Sequence, residues 1–437
     1  MVLLYTPPKQ KHATTRLRTE ILDLDYQGLG VAKIQGKTWF IENALPQEIV
    51  EVQTIEEKRQ YGRGIAQKIL KASAQRQSPP CEVYHRCGGC QMQHLPIDLQ
   101  RQTKQNALVK RLAKLQPDVQ VMPMITSDAW HYRRRVRLSM WLNPKTKQLD
   151  IGFRQKHSQQ IVNIQQCEVL EPQLNQLLPA LTALFRQWSS PQKLGHLELV
   201  QADNGTAVLL RHLGNLAEID RTLLLNFATK HQLMLFLQQE DAIVQIYGDP
   251  PYYQLEPGLT LQFDIRDFIQ VNTTLNQKMV KTALDWLELT PQDHVLDLFC
   301  GMGNFTLPLS RFVNQVIGIE GVEEMVHKAK KNATLNQCHN VQFYQANLEQ
   351  GFVDQPWAKN AFNKILLDPP RAGAAFALQA LCDLQAQKIL YVSCHPATLV
   401  RDTEILAQAG YALKKVAMID MFPQTGHLES ISLFEKE

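Results

Sequence analysis

Apolar runs typical of buried strands alternate with helical stretches through residues 263–437, and this alternation constrains the fold more than any other feature. The runs are HVLDLF, QVIGIE, VQFYQA, KILL and KILYVS, and a longer segment follows each of them. Strands separated by helices predict an α/β fold built on a doubly wound parallel sheet. The last two runs, YALKKVAMI and SISLFE, predict an antiparallel hairpin that completes the sheet.

The rest of the 437-residue chain is long enough for two further domains. Residues 1–72 contain short β-like runs at regular spacing, which predict a small β-barrel of the OB-like type. Residues 73–262 mix α and β segments and form a predicted central domain. This domain begins with a linker at 73–80 and continues with a helical stretch at 98–115, which we expect to pack on the third domain.

No apolar run approaches the roughly 18 residues that a membrane helix needs, so we expect no membrane association. The N-terminal MVLLYTPPKQ lacks a charged region followed by a long apolar stretch, so a secretory signal is not expected. We therefore expect a cytoplasmic protein. Nothing in the sequence indicates an obligate protein partner.

The net charge of +4 is unevenly distributed, with 11 excess positive charges in residues 1–150 and 7 excess negative charges in the remainder. A basic front predicts a polyanionic partner such as RNA. The strand-like run WHYRRRVRLSMW offers the charges and aromatic faces that contact phosphates and bases: Trp130, His131, Tyr132, Arg133, Arg134, Arg135 and Arg137. The competing interpretation is a half-buried strand with merely solvated arginines. Basic residues of the barrel predict a second RNA surface: Lys33, Lys37, Arg59, Arg63 and Lys68.

The segment DLFCGMGNF directly follows a buried strand and precedes a helical stretch. Glycines let the backbone approach a ligand, and ligands of open α/β sheets bind outside the carboxyl ends of the strands. Asp297 begins the segment, and Glu320 ends the next strand, where it can accept hydrogen bonds from ribose hydroxyls. A nicotinamide dinucleotide site is the rival interpretation, but its fingerprint needs a glycine where Thr306 stands. The segment is instead similar to the S-adenosyl-L-methionine loop of class I methyltransferases.

Two later strands end in residues suited to chemistry, Asp368 after KILL and Cys394 after KILYVS, and both should face the same crevice. A cysteine suits one particular problem: carbon 5 of uracil accepts a methyl group only after a thiolate has added to carbon 6. A base must then remove the proton from carbon 5, and His427 and Glu429 are both candidates. The cysteines expected only to pack are Cys300, Cys338 and Cys382.

Three cysteines lie within ten residues: Cys81, Cys87 and Cys90. In a large intracellular protein such a group indicates metal or redox chemistry rather than a disulfide framework. Zinc sites usually combine two C-x-x-C pairs and only one is present, so an iron–sulfur cluster is favoured. Spacing leaves three candidates for the fourth ligand: His85, His94 and Cys167.

Four segments together resemble successive signatures of the RNA uracil-C5 methyltransferase family: DLFCGMGNFTLPL, LLDPPRAG, YVSCHPATLVRD and MFPQTGHLES. The segment CEVYHRCGGCQMQH resembles the cluster motif of the ribosomal members, and the N-terminal barrel is similar to a TRAM domain. The resemblance spans essentially the whole chain. It implies a class I, Rossmann-like methyltransferase domain that methylates carbon 5 of one uridine in 23S rRNA with S-adenosyl-L-methionine.

The same resemblance implies roles for individual residues. Cys394 would be the nucleophile and Glu429 the proton-abstracting base, and Asp368 would also touch the uracil. The implied ligands of a 4Fe-4S cluster are Cys81, Cys87, Cys90 and Cys167. The residues implied to contact the cofactor are Gln270, Phe299, Asn304, Glu320, Asn347 and Asp368. The chain departs from the family at His395 and Gln424, where relatives often carry Asn and His.

Two alternatives stay open, a tRNA uracil-C5 methyltransferase and a non-catalytic RNA-binding protein, and a third, RNA cytosine-C5 methylation, is disfavoured by the motifs. A tRNA uracil-C5 methyltransferase is expected to lack both the barrel and the cluster, and RNA cytosine-C5 methyltransferases carry a Pro-Cys motif where this chain has Asp368-Pro-Pro. A non-catalytic RNA-binding iron–sulfur protein is the alternative from a different class. It predicts that Cys394 and Glu429 are dispensable.

Overall fold

The computed structural model describes residues 16–255, 258–350, 352 and 354–437. The segment MVLLYTPPKQ, on which the expectation about a secretory signal rests, lies outside the described residues, as do the first 15 residues of the predicted barrel domain. No helix in the described part of the chain is both long and apolar enough to span a membrane.

Six strands form the N-terminal barrel: β1 (Arg16–Glu20), β2 (Asp23–Leu24), β3 (Gly30–Ile34), β4 (Lys37–Glu42), β5 (Ile49–Glu57) and β6 (Tyr61–Lys71). Their order in the sheet is β1-β5-β6-β4-β3-β2. The strands β1 and β2 form the two edges of this sheet, where they pair with β5 and β3. Only two residues separate β1 from β2 in the chain, so the same segment lies at both edges and closes the sheet. Trp39, Ile41 and Val52 fill the interior, and the predicted closed barrel is confirmed.

The predicted linker at 73–80 has no helix or strand, but an ion pair holds it to the barrel. Arg76 Nε donates to Oε1 of the fully buried Glu48 at 2.6 Å. The same carboxylate accepts the backbone N–H groups of Leu45 and Ser73 at 2.9 and 3.2 Å. The buried carboxylate is therefore fully paired, and it fixes where the chain leaves the barrel.

The next segment contains α1 (Ile97–Leu112) and the short strand β7 (Gln120–Val121). A seven-stranded sheet follows: β8 (Arg135–Leu142), β9 (Leu149–Arg154), β10 (Ile161–Asn163), β11 (Leu194–Ala202), β12 (Gly205–His212), β13 (Met234–Gln239) and β14 (Ala242–Tyr247). Its order is β10-β9-β8-β11-β12-β13-β14. Two helices, α2 (Pro172–Phe185) and α3 (Glu218–Lys230), contribute leucines to one apolar core with this sheet.

A short hairpin of β15 (Tyr252–Leu255) and β16 (Leu259–Gln262) and the helix α4 (Thr273–Leu287) lead into the last sheet. The strands of this sheet are β17 (His294–Leu298), β18 (Gln315–Glu320), β19 (Val341–Gln345), β20 (Lys364–Leu367), β21 (Lys388–Ser393), β22 (Tyr411–Ile419) and β23 (Glu429–Lys436). The helices between them are α5 (Thr306–Ser310), α6 (Glu323–Leu335), α7 (Ala375–Asp383) and α8 (Pro396–Gln408).

The order of the last sheet is β19-β18-β17-β20-β21-β23-β22-β7. The first five strands are parallel, and β23 runs antiparallel to both of its neighbours. The predicted doubly wound sheet with a closing hairpin is therefore confirmed. The sheet also gains β7, which pairs in parallel with β22 although nearly 300 residues of chain separate them.

The helix α1 overlaps the predicted stretch 98–115, but it begins one residue earlier, at Ile97, and ends at Leu112. Its Leu108 and Leu112 belong to the apolar core of the last sheet, and its polar side chains reach the loop between β22 and β23. This helix therefore packs on the elements that follow residue 263, although the sequence places it between the barrel and the central sheet.

Candidate active site

Five carboxyl and thiol side chains lie at one edge of the last sheet. Asp297 lies near the end of β17, Glu320 ends β18, Asp368 follows β20 and Cys394 follows β21. Because β23 runs antiparallel, its first residue, Glu429, lies at this same edge. The carboxyl edge of an open α/β sheet is where ligands bind. The structure thus brings the predicted residues from five separate strands to one crevice.

The glycine loop after β17 is supported by a buried carboxyl group. Asp297 Oδ2 accepts a hydrogen bond from Thr306 Oγ1 at 2.5 Å, which ties the strand to the start of α5. Burial raises the pKa of Asp297 to about 8, with smaller contributions from the nearby Asp368 and Glu320. Gly303 adopts φ +101°, in the left-handed region that favours glycine, and a Cβ there would lie 3.0 Å from Leu307.

Glu320 holds the same loop from the neighbouring strand. Its Oε2 accepts the backbone N–H of Gly301 at 3.1 Å, and its Oε1 accepts that of Val322 at 3.0 Å. A carboxylate has about four acceptor positions, so two are left for the hydroxyls of a ligand. This arrangement supports the predicted role of Glu320 in binding a ribose.

Asn304 is oriented by two residues that the sequence prediction did not identify. Tyr253 donates its hydroxyl to Asn304 Oδ1 at 3.0 Å, and the amides of Asn304 and Asn276 exchange two hydrogen bonds at 3.0 Å. Oδ1 is thus saturated, and one Nδ2 hydrogen of Asn304 stays available to a ligand. Asn276 could have been identified from its position among the apolar residues Leu275 and Met279 of α4, whereas no sequence signal marks Tyr253.

The other predicted cofactor residues lie around the same edge. Phe299 has φ +63°, and its ring meets that of Phe376 edge to face at 6.2 Å. Asn347 is exposed just after β19, so Asn347, Glu320 and Phe299 follow three neighbouring strands. Gln270 is half-buried ahead of α4. A ligand that extends along this edge would contact Asn347, Glu320 and Phe299 in turn.

Cys394 and Glu429 face each other across two neighbouring strands. The pairing of β21 with β23 runs from Lys388 with Glu435 to Ser393 with Ser430, so the next position in this register joins Cys394 and Glu429. Facing residues of an antiparallel pair project from the same side of the sheet. The predicted nucleophile and the predicted base are therefore neighbours.

The charges at this edge repel one another. Burial raises the pKa of Glu429 to about 8, Asp368 raises it further, and Lys104 lowers it. Burial raises the pKa of Asp368 to about 7. Burial also raises the pKa of the Cys394 thiol to about 11, with Glu429 and Asp368 adding to the effect and Arg371 opposing it. Strongly shifted pKa values among neighbouring groups are typical of a catalytic site.

His427, the other candidate base, lies farther along the loop that precedes β23. Its side chain is exposed, and its ring packs against that of Phe422 at 5.3 Å. Partial desolvation of the ring and the cations Arg371, Lys104 and Arg133 lower its pKa. The register of the strands thus favours Glu429 over His427 as the neighbour of Cys394.

His395 and Gln424, the two departures from the family pattern, both have structural partners. His395 caps α8, where its Nδ1 accepts the backbone N–H of Thr398 at 3.4 Å. Gln424 is buried and exchanges two hydrogen bonds with Gln100 of α1, at 2.9 and 3.0 Å. The backbone carbonyl of Gln424 also accepts hydrogen bonds from the backbone N–H groups of Gln91 and Met92.

The four predicted cluster cysteines line one cavity of about 410 Å³. The structure describes all three candidates for the fourth ligand, and only Cys167 lines this cavity. His85 and His94 lie outside the cavity. His94 is buried and bonded to the Tyr84 hydroxyl at 2.7 Å. The remaining wall includes Phe422, Thr425 and His427 of the loop before Glu429. The cavity therefore adjoins the candidate active site.

No group of three His, Cys, Asp or Glu within the described ranges is placed to hold a single metal ion. The four thiols line one shared cavity. In a tetrahedral zinc site each sulfur lies about 2.3 Å from the metal, which draws the sulfurs close together. A cluster of several iron and sulfide ions separates its ligands more widely, and the donor set of four thiols fits it.

The basic run 130–141 corrects the sequence prediction. Its strand begins only at Arg135, and Tyr132 and Arg134 are buried, so neither can contact RNA at the surface. Tyr132 donates its hydroxyl to the Pro423 carbonyl at 3.0 Å. Arg135 and Arg137 both pair with the buried Glu198, and only Arg137 is exposed. A buried carboxylate needs such partners, which is why the arginines are clustered here.

A cleft of about 1100 Å³ runs from the barrel past the cysteine segment to the loop after Asp368. Its basic lining comes from three regions of the chain: Arg63, Arg154, Lys156 and Arg371. Among the barrel residues predicted to bind RNA, only Arg63 lines this cleft, and Lys33 and Lys37 bond to Thr38 and Glu57 instead.

The sequence prediction also missed residues that support the site from behind. Asp402 of α8 is buried, and its Oδ2 accepts the Tyr391 hydroxyl at 2.6 Å and the backbone N–H of Ala374 at 2.7 Å. It thereby ties the loop after Asp368 to β21. A carboxylate on the apolar side of a helix between Leu399 and Leu406 is the signal that could have revealed it.

Two family models match the chain: "tRNA (Uracil-5-)-methyltransferase" over residues 259–437 and "TRAM domain" over residues 14–66. The 23S rRNA (uracil(1939)-C(5))-methyltransferase RlmD of Pasteurella multocida is 68% identical over 437 residues and covers all of both chains. The enzyme of the same name from Haemophilus influenzae (strain 86-028NP) is 64% identical over 435 residues, 99% of each chain.

One solved structure shares the fold over nearly the whole length. The tRNA (uracil-54, C5)-methyltransferase of Pyrococcus abyssi, in complex with S-adenosyl-L-homocysteine, superposes with a TM-score of 0.74. The alignment covers 96% of this chain and 100% of that one, at 23% identity. This likeness establishes that the chain shares the fold of that protein over the part that the alignment covers.

Proposed function

Because the chain belongs to the family of 23S rRNA (uracil-C5)-methyltransferases called RlmD, we propose that it methylates carbon 5 of one uridine in 23S rRNA with S-adenosyl-L-methionine. The names of the relatives give this uridine as 1939. The observation that carries the proposal is that Cys394 and Glu429 lie close together at the adjoining ends of neighbouring strands, at the edge that also holds the glycine loop. An rRNA substrate fits a cytoplasmic enzyme.

In this reaction the Cys394 thiolate, formed when the thiol has released its proton, adds to carbon 6 of the uracil, and the resulting enolate makes carbon 5 a nucleophile. Bound S-adenosyl-L-methionine supplies an electrophilic methyl group. The Glu429 carboxylate then removes the proton from carbon 5, the electron pair re-forms the 5,6 double bond, and the Cys394 thiolate leaves. Asp368, beside both residues, is placed to contact the uracil.

The protonation states set a condition on this sequence. With a pKa of about 11, the Cys394 thiol carries its proton at neutral pH in the ligand-free protein. Addition therefore requires a substrate-bound state in which the thiolate is favoured, and removal of the proton from carbon 5 requires that Glu429, whose pKa burial raises to about 8, is ionised. Arg371, which lowers the pKa of this thiol, also lines the basic cleft. RNA that reaches Arg371 would thus arrive next to the nucleophile.

The cofactor contacts follow from the geometry of the edge. We assign the ribose hydroxyls to Glu320 and propose that Phe299, Asn304, Asn347, Gln270 and Asp368 complete the cofactor site. Asn304 contributes the Nδ2 hydrogen that Tyr253 and Asn276 leave available. The target uracil must leave its base stack to reach Cys394, as is usual for enzymes that modify a base.

The four cysteines fit a 4Fe-4S cluster, held by Cys81, Cys87, Cys90 and Cys167. This proposal is supported by the cavity that the four thiols share. The reaction above transfers no electron, so we assign the cluster a structural role between the cysteine segment and the loop before Glu429. Anaerobically purified protein should contain about four iron and four sulfide ions per chain. Stoichiometric zinc without iron would refute the cluster.

Incubation with a 23S rRNA fragment around uridine 1939 and labelled S-adenosyl-L-methionine tests the proposal, and a tRNA provides the control substrate. Cys394→Ala should abolish methyl transfer and the covalent adduct with 5-fluorouridine RNA. Glu429→Gln should methylate and then stall as a covalent protein–RNA complex, because elimination needs the proton removed. Methylation of the tRNA alone would move the enzyme to the other branch of the class, and full activity of Cys394→Ala would exclude the mechanism.

A further inference from the structure

Arg134 is a buried cation that touches two parts of the proposed cofactor site. Its side chain is 1% exposed although it lies in the most basic run of the sequence. Burying a charge is costly unless partners compensate for it. RNA binding at the protein surface therefore does not explain why this guanidinium is buried.

The first contact is with the segment that carries Gln270. Arg134 Nε donates to the Gln270 carbonyl at 2.8 Å, and the backbone N–H of Arg134 donates to the Val271 carbonyl at 2.9 Å. Arg134 thus bonds to two consecutive carbonyls immediately before α4. These bonds fix the backbone from which the Gln270 side chain projects.

The second contact is with Tyr253. The Arg134 guanidinium carbon lies 4.8 Å from the centre of the Tyr253 ring, within the range of a cation–π interaction. The Tyr253 hydroxyl in turn donates to Asn304 Oδ1. Arg134 therefore reaches Asn304 through one intervening side chain, from the position directly before β8 of the central sheet.

The hydrogen-bond donors of the Arg134 guanidinium that have no partner do not indicate RNA binding. Neither Nη atom has a hydrogen-bond partner among the described residues, and both are buried. The nearby charges are those of Asp203 and Glu171. Because both nitrogens are buried, a phosphate at the protein surface cannot contact them.

We propose that Arg134 is a positioning residue for S-adenosyl-L-methionine, which holds Gln270 and, through Tyr253, Asn304 in the geometry that binds the cofactor. The inference rests on the proposed function, since it assumes that these two residues contact the cofactor. It assigns to a residue of the basic run a role in cofactor affinity instead of RNA affinity.

Calorimetric titration with S-adenosyl-L-homocysteine tests this role in the full-length protein. Arg134→Met should raise the Kd about tenfold or more, the equivalent of at least one lost hydrogen bond to the ligand. Arg134→Lys keeps the charge but not the planar fork, and should fall between wild type and Arg134→Met. RNA affinity should change less than about twofold, and Arg221→Met, on the exposed surface of α3, should match wild type in both measurements.

Tyr253→Phe keeps the ring under Arg134 and removes only the hydroxyl that orients Asn304. It should raise the Kd for S-adenosyl-L-homocysteine about threefold to tenfold, and it decides the matter if Arg134→Met does not fold. Wild-type affinity in Tyr253→Phe and in a folded Arg134 variant would overturn the inference. Loss of RNA affinity with unchanged cofactor affinity in the Arg134 variants would also overturn it. Failure of the wild type to bind S-adenosyl-L-homocysteine would instead refute the proposed function itself.

Discussion

Lys104 of α1 and Asp420 of the loop after β22 form a buried ion pair, with Nζ 3.1 Å from Oδ1. Arg101 supplies a second cation to the same carboxylate, its Nε 2.9 Å from Oδ2. The Lys104 ammonium also donates to the Phe422 carbonyl at 3.3 Å. The helix that precedes the central sheet is thereby anchored to the loop that leads to Glu429.

Removal of the shared carboxylate should be the most damaging change in this network. Asp420→Asn leaves two cations without their counter-ion and should lower the free energy of unfolding by about 3–5 kcal/mol. Lys104→Met should cost less, about 1–3 kcal/mol, because Arg101 still neutralises Asp420. Urea denaturation followed by circular dichroism measures both. The exposed pair Lys281–Asp285 is the control, and Lys281→Met should change stability by less than about 1 kcal/mol. A larger loss from Lys104→Met than from Asp420→Asn would contradict this ranking.

The raised pKa of Glu429 should make stability depend on pH. Folding shifts the pKa of this carboxyl from 4.5 to about 8, chiefly by burial. Between these values the folded state keeps a proton that the unfolded state has released, so its contribution to the free energy of unfolding falls as pH rises. Glu429→Gln cannot ionise and should gain stability relative to wild type at pH 8.5 compared with pH 5.

Denaturant melts at several pH values measure this difference. Glu404→Gln, on the exposed surface of α8, serves as the matched control and should track the wild type at every pH. An equal pH dependence in wild type and Glu429→Gln would mean that the Glu429 carboxyl is not protonated in the folded protein.

The same substitution should make Cys394 more reactive. The negative charge of Glu429 helps to raise the pKa of the Cys394 thiol to about 11, so its removal favours the thiolate. At pH 9, iodoacetamide should alkylate Cys394 several-fold faster in Glu429→Gln than in wild type. Mass spectrometry of the modified peptides gives the rates, with Cys382 as an internal reference, since the charged neighbour that raises its pKa is Asp383. An unchanged rate at Cys394 would show that the two side chains do not interact.

RNA affinity should depend on the cleft and not on basic charge in general. Arg63→Gln removes a cation from the cleft lining and should reduce the slope of log affinity against log salt by about 1. Lys33→Gln removes an equal charge from a residue that bonds to Thr38 outside the cleft, and should leave the slope unchanged. Fluorescence anisotropy with a 23S rRNA fragment at several salt concentrations measures both. Equal effects of the two substitutions would argue against the cleft as the RNA path.

The sequence by itself determined the order of elements and much of the candidate site. Strand and helix periodicity are local properties, so the alternation in residues 263–437 predicted the doubly wound sheet and its final hairpin. Residues at strand ends share one edge of such a sheet, which is why Glu320, Asp368 and Cys394 could be grouped before any contact was known. The three cysteines of one short segment were likewise visible from spacing.

Only the tertiary structure decided between candidates that look alike in the sequence. Arg134 and Arg137 stand three residues apart, yet one is buried over Tyr253 and the other is exposed, because the elements that cover them come from distant parts of the chain. Contacts between distant segments likewise place Cys167 in the lining of the cysteine cavity. They also place Glu429, and not His427, beside Cys394. Burial and charge pairing are set by contacts between segments distant in sequence, and a local pattern carries no record of which segments will meet.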